Sequence, residues 1–174
     1  MRMEGKIGLV TAAGSGMGRA GAIRFAQEGA SVGVVDVDED AVASVVNDIE
    51  QNGGKAKGIV ADLTKDEDSK RIVVETAKHF NGLDFVWNHV GYPGPASVEG
   101  VEMNDFDLTL DLNLRTVLIT TDAALTELRA RGGGSLLFTA STSGLAGSGF
   151  SPIYSMAKFG VVGFVRALAK RAAK

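Results

Sequence analysis

Three side chains in the last quarter of the chain could together move a proton. Tyr154 and Lys158 stand four residues apart at the start of an apolar-periodic run, 154–168, and Ser141 precedes Tyr154 by thirteen residues. In a helix, Tyr154 and Lys158 would leave the same face. An ammonium about 4 Å from a phenolate favours the ionised pair by roughly 4 kcal/mol at an effective dielectric of about 20, which makes Tyr154 a candidate general acid/base. Because a tyrosine at a helix start more often serves packing, this hypothesis needs support from other elements.

The glycine-rich stretch 12–18 predicts a turn that could bind a phosphate. An apolar strand, 6–11, precedes it and a helical pattern, 19–28, follows it. Its regularly spaced glycines are Gly14, Gly16 and Gly18. Glycine lets the backbone approach a ligand closely, and the N-terminus of the following helix favours negative charge. The stretch therefore predicts a dinucleotide pyrophosphate site, although an ordinary glycine-rich turn has the same local pattern.

Asp36 supports the dinucleotide hypothesis. It ends the next apolar strand, 31–36, and follows the last glycine of the turn by eighteen residues, close to the spacing of an acid that binds the adenosine ribose. Its carboxylate would repel a 2′-phosphate, and Ser15 and Val37 offer no basic group to bind one, so Asp36 favours NAD over NADP. Asp36 could instead cap the following helix, a role that Asp38 or Glu39 could share.

Strands and helices alternate along the rest of the chain. Further helices are predicted over 39–51, 65–80, 105–131 and 154–168, and further strands over 56–60, 83–88 and 135–140. This alternation predicts an α/β fold, a Rossmann-type doubly wound parallel sheet with helices on both faces in three αβα layers. With 174 residues, 45% of them hydrophobic, we expect a single domain over 1–174.

Ligands of such sheets bind at the carboxyl ends of the strands. Polar residues and glycines from several predicted strands would meet there: Gly14, Asp36, Asp62, Asn88, Gly91 and Ser141. Asn113 lies among apolar neighbours in the predicted helix 105–131, near an irregularity of its pattern. A buried amide needs several hydrogen-bond partners, so Asn113 either stabilises a helix irregularity or binds an ordered water.

The composition argues against several other classes of protein. The net charge of −3 without a basic stripe disfavours nucleic acid as a partner. The chain has no cysteine, and its two histidines, His79 and His89, stand apart, so neither disulfides nor a metal site are predicted. No apolar run suits a signal peptide or a membrane span. We therefore expect a soluble, cytoplasmic protein without a membrane partner.

Taken together, these residues resemble the short-chain dehydrogenase/reductase family, in its compact single-domain branch. The similarity runs from residue 6 to about residue 168, with the family motifs in their usual order. The motifs are T-G-x-x-x-G-x-G at 11–18, the strand-end acid Asp36, D-[LV] at Asp62-Leu63, N-x-A-G at 88–91, the helix residue Asn113, Ser141, and Y-x-x-x-K at Tyr154 and Lys158.

The resemblance implies an NAD-dependent oxidoreductase that interconverts a secondary alcohol and a carbonyl by hydride transfer. In this family Tyr154 would be the general acid/base and Lys158 would also bind the nicotinamide ribose. Ser141 would orient the oxygen of the alcohol or ketone substrate, and Asn113 would hold a water of the proton relay. The implied cofactor contacts are Ala12, Gly14, Ser15, Gly16, Met17, Gly18, Asp36, Asp62, Leu63, Asn88, Val90, Gly91, Tyr154 and Lys158. The family also implies a homodimer or homotetramer built on the helices at 105–131 and 154–170.

The chain departs from the family pattern in three ways. Ala12 replaces the first glycine of the turn and Val90 replaces a small alanine, for which we expect at most a modest loss of cofactor affinity. Family members also continue past the position of Lys174 with two more strands and a substrate lid. We therefore expect an incomplete chain, truncated after the helix of Tyr154, with an open edge at its fifth strand. The alternatives are an NAD-binding module without turnover and a fragment without independent function.

Overall fold

Five short apolar runs pair as a parallel sheet in the computed structural model, which describes residues 1–172. The strands are β1 (Ile7–Thr11), β2 (Ser31–Asp36), β3 (Lys55–Val60), β4 (Phe85–Asn88) and β5 (Ser135–Phe138). Their order across the sheet is β3-β2-β1-β4-β5. The direction of winding reverses between β1 and β4, and open α/β sheets bind their ligands at such a switch point.

Each connection between consecutive strands contains at least one helix, which is the crossover that parallel strands need. The helices are α1 (Gly16–Gln27), α2 (Glu39–Gln51), α3 (Asp66–Phe80), α4 (Met103–Leu110), α5 (Thr116–Ala130) and α6 (Pro152–Ala172). The predicted α/β Rossmann-type fold with a doubly wound parallel sheet is confirmed. Among residues 1–172, no helix has both the length and the apolar character needed to cross a lipid bilayer.

Two hydrophobic cores cover the two faces of the sheet. Side chains of a strand alternate between faces, so Leu9 of β1 joins the core with α3 and α5, whereas Val10 joins the core with α1 and α2. Both side chains are 0% exposed. Burial on both faces is typical of central strands in a parallel sheet. It holds β1, and the glycine-rich turn that follows it, rigidly at the switch point.

The helical pattern predicted over 105–131 is interrupted. A π-helical turn, Asp111–Arg115, lies between α4 and α5. Thr116 closes this turn, because its hydroxyl lies 2.9 Å from the carbonyl oxygen of Asp111 and 2.7 Å from that of Leu63. Single π-turns inside helices often occur at functional sites. Here the turn contains Asn113, at the irregularity noted in the sequence.

Some element boundaries differ from the prediction. The helix α1 begins at Gly16 rather than at residue 19, because the N–H of Arg19 already donates to the carbonyl of Ser15 at 3.0 Å. The strand β5 ends at Phe138 rather than at residue 140, because β4, its neighbour in the sheet, ends at Asn88. As expected, β5 is an edge strand of the five-stranded sheet.

Candidate active site

The glycine-rich turn between β1 and α1 has the shape that its sequence predicts. Gly16 has a φ of +52°, which side chains disfavour. A Cβ on Gly18 would lie 2.0 Å from the carbonyl oxygen of Ala12, so only glycine fits there. Ser15 and Met17 are exposed on the turn, and the first N–H groups of α1 have no partner within the helix. The turn therefore presents backbone donors to the carboxyl edge of the sheet, where an anionic group could bind.

Ala12 is more perturbed than the sequence suggested. Its φ is +50°, in the left-handed region that alanine rarely adopts. The sequence predicted only that its methyl group would crowd the turn. An L-residue in this conformation costs roughly 1–2 kcal/mol. The family glycine at this position would not carry that cost.

Replacing Ala12 with glycine should therefore stabilise the fold. The unfolded chain is more flexible with glycine, which offsets about 0.4–1 kcal/mol of this stabilisation. We expect a net gain of roughly 0.5–1 kcal/mol in the free energy of unfolding, measured by urea denaturation. Ala13→Gly is the matched control, because Ala13 is 0% exposed and does not have a positive φ. The control should destabilise. A loss of stability in both variants would contradict the strain at Ala12.

Asp36 anchors the turn from the neighbouring strand. Its Oδ2 accepts from the backbone N–H of Gly14 at 2.9 Å, and its Oδ1 accepts from that of Val37 at 2.8 Å. The alternative capping role belongs to Asp38, whose carboxylate accepts from the N–H of Ala41 at 3.0 Å at the start of α2. The carboxylate of Asp36 is thus aimed at the glycine turn rather than at a helix.

A cavity of about 170 Å³ lies beside Asp36. Its lining residues come from four strand ends and the π-turn: Ala12, Asp36, Val37, Ala61, Asp62, Leu63, Thr64, Val90 and Leu112. Hydrogen bonds from the hydroxyl and N–H of Thr64 lower the pKa of the Asp62 carboxyl, and the ammonium of Lys65 adds to this effect. The cavity therefore combines apolar walls with the carboxylates of Asp36 and Asp62.

The end of β4 is held by a hydroxyl of β1. Thr11 Oγ1 accepts from the N–H groups of His89 at 2.9 Å and Val90 at 3.0 Å. Asn88 is buried, and its Oδ1 accepts from the hydroxyl of Thr120 on α5. These bonds align the loop after β4 with the glycine turn. Thr11 was not among the predicted site residues, although the first position of the T-G-x-x-x-G-x-G motif was a signal for it.

Lys158 is a buried cation. The residue is 2% exposed, and its Nζ donates to the carbonyl oxygen of Thr139 at 2.9 Å. Nζ also lies 5.5 Å from the ring centroid of Tyr154, so the predicted pair is close in space. Burial lowers the pKa of the Lys158 ammonium to about 8, because desolvation penalises its charge. Thr139 was also missed by sequence reasoning, since it acts through its backbone and leaves no motif.

Asn113 faces the same space as Lys158. Its Nδ2 donates to the carbonyls of Thr109 at 2.8 Å and Tyr92 at 2.7 Å, so the amide stabilises the π-turn and holds the loop after β4. Its Oδ1 is buried without a hydrogen-bond partner among the described residues. A Cβ on Gly91 would lie 2.8 Å from this Oδ1 and 3.2 Å from Lys158 Nζ. Both alternatives for Asn113 are thus compatible: it stabilises an irregularity and keeps one acceptor for a further ligand.

Ser141 begins the segment between β5 and α6. Its Oγ accepts from the N–H of Ser143 at 3.1 Å and caps the short 3-10 turn Thr142–Gly144. This turn packs on α6 so closely that a Cβ on Gly144 would lie 2.6 Å from the carbonyl oxygen of Lys158. The hydroxyl of Ser141 is therefore positioned by the same helix that contains Lys158.

Comparison with known proteins gives a consistent result. The model of the short chain dehydrogenase family matches residues 6–174. A cyclohexanol dehydrogenase of Acinetobacter sp. (strain SE19) is 34% identical over 97% of this chain and 67% of its own length. A 7α-hydroxysteroid dehydrogenase, solved with NADH and 7-oxo glycochenodeoxycholic acid, has a TM-score of 0.94 at 29% identity, over 99% of this chain and 67% of that one.

A further structural relative binds the other nicotinamide dinucleotide. A short chain dehydrogenase from Burkholderia cenocepacia J2315, solved with NADP, has a TM-score of 0.92 at 29% identity, over 99% of this chain and 71% of that one. The chain spans between 66% and 68% of the length of three curated relatives it matches. Fold, sequence similarity and the match of the family model over residues 6–174 agree, so this chain belongs to the short chain dehydrogenase family.

Proposed function

We propose that this protein is an NAD-dependent oxidoreductase that interconverts a secondary alcohol and a carbonyl, with Tyr154 as general acid/base. The observation that carries the proposal is the buried Lys158 ammonium, 5.5 Å from the Tyr154 ring, with the unpartnered Oδ1 of Asn113 bordering the same space. Burying a charge is costly unless the charge is paired and hydrogen-bonded, and proteins keep such costs most often at functional sites. Here the cost is explained by a proton-transfer site at the carboxyl edge of the sheet.

The residues of the chain fit a dinucleotide. The backbone donors of the glycine turn would bind the pyrophosphate, Asp36 would accept from the adenosine ribose, and the 170 Å³ cavity beside it would take the adenine end. Leu63, Val90 and Asp62 line that cavity. The nicotinamide would accept or supply the hydride.

The proton chemistry belongs to the side chains. Tyr154 would take the hydroxyl proton of the alcohol during oxidation and return it during reduction, beside the ammonium of Lys158. Ser141 would donate to the substrate oxygen and stabilise charge developing on it. A water between Asn113 Oδ1 and Lys158 Nζ would have two polar partners and would pass the proton towards solvent.

The direct test is binding and turnover in the same sample. Calorimetry with NAD and with NADP measures cofactor binding, and NADH absorbance measures oxidation of a panel of secondary alcohols. Cyclohexanol and a 7-hydroxy bile acid are suitable first substrates, because two relatives are a cyclohexanol dehydrogenase and a 7α-hydroxysteroid dehydrogenase. Binding without turnover of any alcohol would favour the non-catalytic module. Absence of binding by either dinucleotide would contradict the proposal.

Cofactor preference should depend on the charge of Asp36. Asp36→Asn keeps an acceptor for the N–H of Gly14 but removes the carboxylate that would repel a 2′-phosphate. We expect the ratio of kcat/KM with NAD to that with NADP to fall by roughly 10- to 100-fold, the scale of one like-charge contact. Asp40→Asn, an exposed position on α2, makes the same charge change and should leave the ratio unaltered. An unchanged ratio in Asp36→Asn would contradict the role of Asp36.

We also propose that residues 1–174 act as a single dinucleotide-binding domain that self-associates as a homodimer or homotetramer. Exposed apolar side chains support an interface on α5 and α6, where Leu118 is 57% and Phe159 is 47% exposed. Light scattering that gives the mass of one chain at micromolar concentration would contradict self-association.

A further inference from the structure

His89 occupies a distinctive place between the glycine turn and the catalytic lysine. Its ring stacks on Trp87 with centroids 4.7 Å apart, and its Nδ1 lies 2.8 Å from the hydroxyl oxygen of Thr139. Its other edge faces α1, since a Cβ on Gly18 would lie 2.9 Å from Cδ2 of the ring. His89 therefore contacts both halves of the candidate site.

The hydrogen bonds around Thr139 suit one tautomer of His89. Trp87 Nε1 can only donate, and it lies 2.9 Å from Thr139 Oγ1, so the hydroxyl accepts that bond. The hydroxyl has one proton of its own to donate, and Nδ1 of His89 is the acceptor within reach. Donation of this proton to Nδ1 requires an unprotonated Nδ1, as in the neutral tautomer of His89 with its proton on Nε2.

Trp87, His89 and Thr139 form a cluster that holds the backbone carbonyl to which Lys158 donates. Thr139 follows the last residue of the edge strand β5, and one backbone bond, from its N–H to the carbonyl of Asn88 at 3.0 Å, ties it to β4. The hydroxyl of Thr139 adds two side-chain hydrogen bonds, one to Trp87 of β4 and one to His89, the residue that follows β4. The carbonyl of Thr139, which accepts from Lys158 Nζ at 2.9 Å, is thus fixed by the hydroxyl of the same residue.

We propose that His89 is a positioning residue: as the Nε2-protonated neutral tautomer it accepts the hydroxyl proton of Thr139 and thereby fixes the carbonyl that holds Lys158 beside Tyr154. This inference rests on the proposed function for the role of Lys158. Protonation of Nδ1 would reverse this bond, because Nδ1–H would then donate to the Thr139 hydroxyl, whose own proton would need another acceptor.

The charges around His89 agree with a neutral ring. The neighbouring elements contribute uncharged groups, Thr11 from β1, Gly18 from α1 and Thr139 from just after β5. Among residues 1–172, Lys158 from α6 is the charged group that faces the ring. Burial, and then the positive charge of Lys158, lower the pKa of His89. The cluster therefore keeps its hydrogen bonds through neutral pH.

The kinetics of matched variants distinguish a positioning role of His89 and Thr139 from a packing role. Thr139→Val removes the hydroxyl at constant shape, and Thr139→Ser restores it. His89→Asn places an acceptor near the position of Nδ1, whereas His89→Gln places its amide near that of Nε2. We expect kcat to fall about tenfold or more in Thr139→Val and His89→Gln, with recovery in Thr139→Ser and His89→Asn and KM for NAD changed less than about twofold. Wild-type kcat in both Thr139→Val and His89→Gln would overturn the proposal.

NMR spectroscopy tests the hydrogen bonds of the cluster and does not require an active enzyme. The chain has two histidines and one tryptophan, so ¹⁵N spectra of the imidazole and indole nitrogens need only a His79→Gln variant for assignment. We expect an unprotonated Nδ1 in His89 at pH 7 and a slowly exchanging Trp87 Nε1–H that exchanges faster in Thr139→Val. A protonated Nδ1 would overturn the proposal. If the wild type lacks turnover, the proposed function fails, and these spectra still decide the role of His89 in the cluster.

Discussion

Replacing Tyr154 with phenylalanine should lower kcat by roughly 10²- to 10⁴-fold, the usual contribution of a general acid/base. The structure brings the phenol ring of Tyr154 beside the buried ammonium of Lys158, whose Nζ lies 5.5 Å from the ring centroid. The ring remains in the variant, so its packing and the glycine turn are unaffected. The dissociation constant for NAD should therefore change less than about twofold.

The measurement is a pair of assays on each variant: initial rates from NADH absorbance with a substrate that the wild type oxidises, and calorimetric binding of NAD. Tyr92→Phe is the matched control, because the chain has two tyrosines and Tyr92 contributes its backbone carbonyl, rather than its phenol, to Asn113. The control should keep most of its activity. More than a few per cent of wild-type kcat in Tyr154→Phe would exclude Tyr154 as the acid/base.

Replacing Lys158 with methionine should abolish activity and stabilise the fold. Burial lowers the pKa of Lys158 from 10.5 to about 8, which corresponds to about 3 kcal/mol of destabilisation of the folded state at pH 7. Methionine fills similar space without a charge but leaves the carbonyl of Thr139 unpaired, at a cost of about 1–3 kcal/mol. We expect a net gain of up to roughly 2 kcal/mol in the free energy of unfolding, or a rise in Tm of up to about 8 °C.

The pH dependence of this gain follows from proton linkage. Between pH 8 and pH 10.5, the unfolded chain keeps the Lys158 proton that the folded chain has lost, so wild-type stability from this residue rises with pH across that window. Below pH 8 the ammonium is charged in both states and its full cost is present. The advantage of Lys158→Met should therefore be largest below pH 8 and turn into a disadvantage towards pH 10.5, where the unpaired carbonyl of Thr139 is the remaining difference.

Urea denaturation at pH 7 and pH 10 measures this dependence. Lys170→Met is the matched control, since Lys170 is exposed on the same helix, and it should change the free energy of unfolding by less than about 0.5 kcal/mol at either pH. A Lys158→Met variant less stable than the wild type at pH 7 would show that the ammonium is not a net cost to the fold.

How far the sequence predicts this structure depends on the range of the interactions involved. The bounds of β2 and α2 agree with the prediction to the residue, because an apolar run and an amphipathic helix are local patterns. The glycine turn was predictable for the same reason. The left-handed backbone of Ala12 was not, because it depends on the fit of the turn against Gly18 and Asp36 rather than on alanine itself.

By itself, the sequence determined which residues can do chemistry and that the carboxyl ends of parallel strands would gather them, since side-chain type and hydrophobic periodicity are properties of short segments. Only the tertiary structure decided their ionisation and their partners. Lys158 has a pKa of about 8 because packing removes it from water, and it is held by the carbonyl of Thr139, nineteen residues earlier. The hydroxyl of that threonine meets His89, fifty residues before it, because β4 and β5 are neighbours in the sheet.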